Sequence, residues 1–397
     1  MEVLQGIRIL ELSRVAPGSY ATMILGDMGA EVIKVEQPIE SDIPRVGSGW
    51  SPVGEEGRKD AAYMAIHRNK KSIAIDLKSE DGREIFYRLA GKADVLLEGF
   101  RPGVAKRLKI DYETLREINP RIIYCSLTGY GQNGPYRELP GHDINYIGYG
   151  GALGLIGRPG EPPIPPLNLV GDFAGGSLNC VIGILLAIIA RQKTGKGQQV
   201  DISMTDGVVS LLTWMVSDYF KTGVAPKRGE YFLSGGFPCY SVFETRDRKF
   251  IAVGCIEPWL WANLCRALGK EEFVPFQWAN GEKRIKIMDR LREIFLTKSR
   301  DEWIEFLKDK DVCVSKVNDF DEVFRDPQIL HRRMVIEMDH PSEGKVKQVG
   351  IAIKLSDTPG RVKSFGPILG EHTQEILGQL GYSKKEINKF LGAKIVG

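Results

Sequence analysis

The sequence predicts an α/β protein built on a parallel sheet, with a second, smaller α+β domain, and three observations carry that prediction. Short β-rich runs alternate with helical ones through the first two hundred residues, the pattern of a parallel sheet covered by helices. Glycine and proline crowd residues 129–171, where no helix of ordinary length fits. From about Pro226 to Pro327 the order becomes a short β section followed by helices, before strand-like runs resume in the tail.

Ile7 to Leu12 reads as a strand, Gly18 to Met28 as a helix stopped near Gly29, and Glu31 to Val35 as the next strand, which makes one βαβ unit. Ser72 to Asp76, a helix from Ser79 with acids in its first turn, and Asp94 to Glu98 make a second. Asp111 starts a short helix that leads to the strand Ile122 to Leu127. The Gly/Pro-rich stretch that follows is expected to be a long functional loop region. A buried helix from about Gly176 to Lys193 comes next, then the turn Thr194 to Gly197 and a strand around Gln199 to Met204. In the second domain a β section (Tyr240 to Val253) precedes helices around Trp259 to Leu268, Lys283 to Leu296 and Ser299 to Lys308. The tail adds strand-like Met334 to Met338 and Val346 to Leu355 and a closing helix near His372 to Leu380.

At 397 residues and 43% hydrophobic content, the chain exceeds what one core usually organises, so two domains are expected. The 54 basic residues nearly balance 51 acidic ones and are interspersed with them, which argues against nucleic acid or a membrane as the main partner. Six cysteines, at 125, 180, 239, 255, 265 and 313, form no CxxC and no Cys/His grouping, so reduced thiols, a cytoplasmic location and no metal are expected. The amino terminus does not read as a signal peptide. The longest apolar run, Cys180 to Ala190, falls short of the ~20 residues of a membrane span and reads as a buried helix.

Gly129-Tyr-Gly131-Gln-Asn-Gly134 matches GxGxxG after a predicted strand, but Pro135 and Pro140 deny it the helix that a dinucleotide site needs. His142, in GHDINY, is the one histidine of five inside the loop region; it suits a general base, or is a loop histidine bonded to a carbonyl. Asp172, in NLVGDFAGG, is either a simple N-cap or a carboxylate at a site where Gly175 and Gly176 admit a bulky ligand. Glu257, in GCIEPWLW, has apolar neighbours that would raise its pKa if buried in a cleft, or is a first-turn glutamate on a surface helix. The basic candidates are Arg14, Arg45, the cluster Arg68-Asn69-Lys70-Lys71, and Arg101. All but Arg45 flank predicted strands, where α/β folds place ligand loops, although such clusters are more often solvated faces.

The segments ELSRVAPGSYATMILGDMGAEVIKVE, NKKSIAIDLKSEDG, DVLLEGFRPGV, SLTGYGQNGPY, GHDINY, DFAGG, RQKTGKGQQVDISMTDG, and the tail pieces DTPG and LGEHTQEILGQLGY occur in that order. Together they resemble the class III CoA-transferase superfamily of CaiB/BaiF type. The resemblance implies a Rossmann-like CoA-binding large domain from both chain ends, residues 1–205 and 327–397 with connecting segment, and a small α+β domain at 206–326. It also implies an interlocked dimer whose active site lies between the large domain of one chain and the small domain of the other. Arg14, Arg45, Arg68, Lys70, Lys71, Arg101 and Tyr146 form the expected CoA-binding set.

Within the superfamily, GHDINY and GCIEPWLW resemble the α-methylacyl-CoA racemases, which carries the roles around the substrate's α-carbon onto His142, Asp172 and Glu257. In that mechanism His142, assisted by Glu257, serves one face of the α-carbon and Asp172 the other, and backbone amides after Asp172 hold the enolate oxygen. No metal or redox cofactor is implied, and CoA arrives within the thioester. Two alternatives stand beside it: intermolecular CoA transfer with Asp172 as the nucleophile that forms an acyl anhydride, and a CoA-binding subunit of a hetero-oligomeric transferase. The 157–163 loop is expected to shape the acyl pocket, while Trp214, Trp259 and Trp261 either line it or belong to the core.

Overall fold

The computed structural model describes residues 1–38 and 61–397, so Arg45 lies outside the described residues. Two compact units form: Met1–Gly150, Leu167–Leu212 and Arg333–Gly397 make the first, and Gly151–Pro166 with Thr213–Arg332 make the second. The expected divisions after 205 and 326 fall a few residues early, and the 151–166 stretch groups with the second unit.

The first unit is organised by six parallel strands: β1 (Arg8–Glu11), β2 (Glu31–Glu36), β3 (Lys70–Ala74), β4 (Val95–Glu98), β5 (Ile123–Thr128) and β6 (Gln199–Ser203). Their order is β3-β2-β1-β4-β5-β6, so the direction of winding reverses between β1 and β4. Open α/β sheets bind ligands in the crevice at such a switch point, outside the carboxyl ends of the strands. Strand periodicity divides the core in two. Leu10, Ile33, Ile73, Leu96 and Tyr124 bury into one face, and Ile9, Val32, Val95, Ile123 and Cys125 into the other.

Helix Glu80–Ala90 covers the first face with Ile85, Phe86 and Leu89, and its Ser79 cap accepts the Gly82 amide. Ile376, Leu377 and Ile387, on the C-terminal helices Thr373–Gln379 and Lys384–Gly392, complete that layer. The second of those helices, and the helices Met204–Leu211 and Thr213–Thr222, are absent from the expectation above.

The opposite face is covered by helices Ala16–Asp27 and Asn179–Thr194. The latter continues a π-helical stretch, Leu169–Leu178, where a loop and a helix start were expected. Together they make a 26-residue helical segment that is long and apolar enough to cross a membrane by length and composition, contrary to the reading from the Cys180–Ala190 run alone. It packs instead along the sheet through Val181, Ile184, Ala187 and Ile188, and its buried Arg191 pairs with Asp94 at 2.8 Å. Leu178, Ile182, Leu186 and Ile189 form an exposed stripe along its outer side.

The tail strands β10 (Val335–His340) and β11 (Gly344–Val349) form a separate antiparallel hairpin and do not join the sheet. In the second unit, β7 (Tyr240–Glu244), β8 (Phe250–Gly254) and β9 (Val314–Val317) form an antiparallel sheet. Helices Pro258–Ala267, Gly281–Phe295 and Arg300–Leu307 close its core with Trp261, Phe295 and Trp303. Trp261 is therefore a core residue, whereas Trp214 and Trp259 are exposed on this unit.

Candidate active site

After β5 the chain runs through the GxGxxG-like stretch without starting a helix, and then enters the short helix Asp143–Tyr149 with His142 at its N-cap. The backbone amide of His142 donates to Asn145 Oδ1 at 3.0 Å, which fixes the entry of the chain and leaves the residue exposed on its own unit. Tyr146 lies beneath this turn. Its hydroxyl donates to the Gly141 carbonyl, and a Cβ at Gly129 or Gly141 would stand 2.2 or 2.7 Å from its ring, so both positions require glycine. Burial raises the pKa of the hydroxyl further. Tyr146 thus shapes the His142 turn, with its hydroxyl proton committed to Gly141.

Asp143 is buried and accepts two backbone amides through Oδ2: Gly171 at 2.7 Å and Asp172 at 2.8 Å. This carboxylate ties the π-helical stretch to the end of the His142 helix. Its second oxygen is buried with no hydrogen-bond partner. Asp172 sits in the first turn of the π-helix, behind Asn168 as N-cap, so the simple N-cap reading does not hold. Asn168 Nδ2 donates to Asp172 Oδ2 at 3.2 Å. Burial raises the pKa of Asp172; Asn168 opposes that shift, the charge of Asp143 adds to it, and His142 again opposes it.

A half-buried carboxyl with a raised pKa, electrostatically coupled to an exposed imidazole, can exchange protons with a bound carbon acid or attack a thioester. The amides of Gly171 and Asp172 are taken by Asp143. One expectation is corrected. Gly175 and Gly176 admit protein, not ligand: Gly207 of helix Met204–Leu211 packs on Gly175, and Met204 on both glycines.

The basic candidates separate by burial. Lys70 is buried and donates to Glu11 Oε2 at 2.8 Å and to the Ser19 carbonyl at 2.8 Å. Lys34 reaches the other oxygen of Glu11 at 3.1 Å, and Ser13, Ser19 and Thr22 each donate to that carboxylate at 2.7 Å. Burial opposes charge on Glu11, but Lys34, Lys70 and His67 hold its pKa well below the usual range, while burial pushes Lys70 down to about 8. Arg68 is likewise buried, with a two-point contact to Asp27 at 3.1 and 2.6 Å and a bond to the Val349 carbonyl. Lys71 is paired with Glu375 at 2.7 Å. Arg68 and Lys70 are therefore interior structural cations and not the CoA ligands expected of them; Lys71 is committed to a protein carboxylate.

Arg14 and Arg101 are different. Both are exposed, they follow β1 and β4, and they flank the switch point. The Arg14 guanidinium lies 6.0 Å from the Phe100 ring centroid, and Gly99 faces Ser13. The two loops thus carry two cations that pair with no carboxylate among the described residues, suited to a diphosphate or a phosphate monoester.

The model of CoA-transferase family III matches residues 4–373. The chain belongs to CoA-transferase family III. Within the family it is 37% identical to the alpha-methylacyl-CoA racemase of Homo sapiens, over 99% of this chain and 97% of that one. It is 34% identical to the succinyl-CoA:glutarate CoA-transferase of Homo sapiens, over 99% and 90% respectively. The crystal structure of a CAIB/BAIF family protein from Brucella suis superposes with a TM-score of 0.81 at 32% identity, covering 96% of this chain and 99% of that one.

Glu257, the third expected catalytic residue, is the N-cap of helix Pro258–Ala267 in the second unit. It is exposed there and makes no side-chain capping bond, so its own unit provides neither the apolar burial nor the first-turn position expected of it. Three buried acids around these segments escaped the reading of the sequence. Asp143 was passed over beside His142, although an acid after a helix N-cap often binds backbone amides. Glu11 and Glu98 end apolar strands (RILE and VLLE), and a charged residue closing a buried strand is the signal that marks them.

Proposed function

We propose that this family III protein epimerises the α-carbon of 2-methylacyl-CoA thioesters by 1,1-proton transfer, with His142 and Asp172 as the two proton carriers. One observation carries the reading: Asp143 holds the backbone at Asp172 to the helix capped by His142, which makes an acid and a base of one site out of two distant segments. In the forward direction one of them takes the α-proton as the other delivers a proton to the opposite face. Assistance of His142 by Glu257, cytoplasmic location, and the absence of any cofactor beyond substrate CoA belong to the same proposal. So does an interlocked homodimer, which the exposed stripe Leu178, Ile182, Leu186 and Ile189 supports.

The relationship to a CoA-transferase at 34% identity favours a second reading. There the Asp172 carboxylate attacks the thioester carbonyl, expels CoA thiolate and holds the acyl group as a mixed anhydride. The thiolate then attacks the Asp172 carbonyl and releases the donor acid. The acceptor carboxylate displaces the thiolate from the resulting Asp172 thioester as a second anhydride, and thiolate attack on the acceptor's carbonyl gives the new acyl-CoA and frees Asp172.

Incubation of one enantiomer of a 2-methylacyl-CoA with the protein in deuterated water, with and without a free carboxylic acid, separates the readings by mass spectrometry. The expected outcome is α-deuteration with loss of chirality and no need for the acid. Acyl exchange that depends on the acid, with the α-proton retained, establishes the transferase reading in its place. Asp172→Ala and His142→Ala should each abolish deuteration with CoA binding nearly intact.

A further inference from the structure

Two buried glutamates end the two strands that flank the switch point, and their surroundings differ. Glu11, on β1, is neutralised by Lys34 and Lys70. Glu98, on β4, is 3% exposed, and no lysine or arginine among the described residues pairs with it. Its Oε2 accepts the amide of Phe100 at 2.7 Å, two residues further on, and its carboxyl shares a hydrogen bond with Ser126, its register partner on β5. The Phe100 bond closes the turn from which Phe100 meets Arg14 and Arg101 projects into solvent.

We infer that Glu98 is a positioning residue for the CoA portion of the substrate, acting through the Phe100 amide to hold the loop that presents Arg101 beside Arg14. The inference rests on the acyl-CoA reading above. No part of the reaction described so far uses Glu98, and a structural need alone does not account for a carboxylate there. An apolar side chain would complete VLLE without the desolvation cost, whereas a loop that must hold one shape against a ligand needs its free amide fixed.

The groups that face Glu98 are the Phe100 amide on its own loop, Ser126, Tyr124 and Cys125 on β5, and Asp201 on β6. None of these is a cation. Burial accordingly raises the carboxyl to about 7, against the Phe100 and Ser126 hydrogen bonds, with Asp201 adding to the rise. The grip on Phe100 is therefore charge-assisted above neutrality and weaker below it.

The test is calorimetric titration of the full-length protein with free CoA from pH 6 to 8, for wild type, Glu98→Ala and Glu98→Gln, with thermal unfolding of each. Glu98→Ala should bind CoA about tenfold more weakly, because the amide loses a charged acceptor. Its turnover at saturating thioester should be retained, so that KM moves and kcat does not. Glu98→Gln keeps an acceptor that does not titrate. The ratio of wild-type to Glu98→Gln affinity should therefore rise with pH across neutrality, a comparison that cancels titration of the CoA phosphate itself. A Glu98→Ala protein that melts normally and binds CoA like wild type overturns the inference. So does a Glu98→Gln protein with the pH dependence of wild type, which decides the matter if the alanine variant does not fold. Wild-type protein that binds no CoA overturns the acyl-CoA reading as well, and is distinct from wild-type binding that the variants leave unchanged.

Discussion

Replacement of Asp143 by alanine tests whether the grip on the Asp172 backbone is what assembles the site. The carboxylate is about 5% exposed, so solvent screens its two amide contacts little. A hydrogen bond to a charged group contributes about 1.5–3 kcal/mol, which makes the pair worth about 3–6 kcal/mol gross. The other oxygen is buried without a partner, and that offsets about 1–3 kcal/mol of the gain. A net of about 2–3 kcal/mol should then be lost from the order of the Asp172 turn. If that loss falls on the transition state, α-deuteration slows by about 30- to 150-fold. Asp143→Asn retains one carbonyl oxygen for the amides and should recover most of the rate. Removal of the like charge should also lower the pKa of Asp172, because Asp143 is one of the groups that raise it. The assay is the initial rate of deuteration at saturating thioester, with CoA affinity measured in parallel and expected to hold. Wild-type exchange in Asp143→Ala would refute the argument, and an asparagine variant as slow as alanine would show that the charge matters and not the acceptor geometry.

Arg68→Ala leaves Asp27 buried without its partner and should cost about 3–5 kcal/mol of unfolding free energy, whereas Arg14→Ala should keep the melting temperature and lose CoA affinity; equal melting of the two variants would reverse the assignment of structural and ligand cations. Lys70 has a folded pKa of about 8 against 10.5 in the unfolded chain, so between those values the unfolded state binds more protons and stability rises with pH. That rise should appear in urea titrations of wild type and vanish in Lys70→Met; a variant that retains it removes Lys70 as the source. Leu186, 61% exposed within the apolar stripe, should weaken the proposed dimer when changed to lysine, since burial of a leucine contributes about 1.5–3 kcal/mol per copy. Light scattering that gives the same mass for both proteins at all concentrations would remove the stripe from the interface.

The sheet was legible because its signal is local. Each strand of the parallel sheet is buried on both faces and shows as a short apolar run, and Ser79 and Asp111 cap their helices through their own side chains, to Gly82 and Thr114. The β10–β11 hairpin was legible as strands but not as a separate sheet, since pairing depends on partners the run itself does not name. The π-helix lay beyond reach for a different reason: Leu169–Leu178 has no periodicity of its own, and its path is set by Asp143 from one side and by Gly207 and Met204 from another.

The same distinction separates the readable part of the site from the rest. On local grounds His142 and Asp172 stand only as candidates beside the readings of a loop histidine and an N-cap, and their proposed roles come from the resemblance of GHDINY and DFAGG. Charge clusters misled, because Arg68, Lys70 and Lys71 look like a phosphate-binding patch along the chain, and only the fold brings Asp27, Glu11 and Glu375 to them from 41, 59 and 304 residues away. The cost of burying a cation makes such pairing obligatory: an arginine or lysine on a strand between two buried layers must find an acid or leave the core. A basic residue beside a strand of a parallel sheet is therefore better sorted by its position along that strand than by its neighbours in sequence. Arg68 and Lys70 come at the amino-terminal end of β3, away from the ligand crevice, whereas Arg14 and Arg101 follow the carboxyl ends of the two strands at the switch point. Applied to the acids, the same rule singles out Glu11 and Glu98, the last residues of those two strands, and of the two only Glu98 is without a cation among the described residues and accepts the amide of the turn that precedes Arg101.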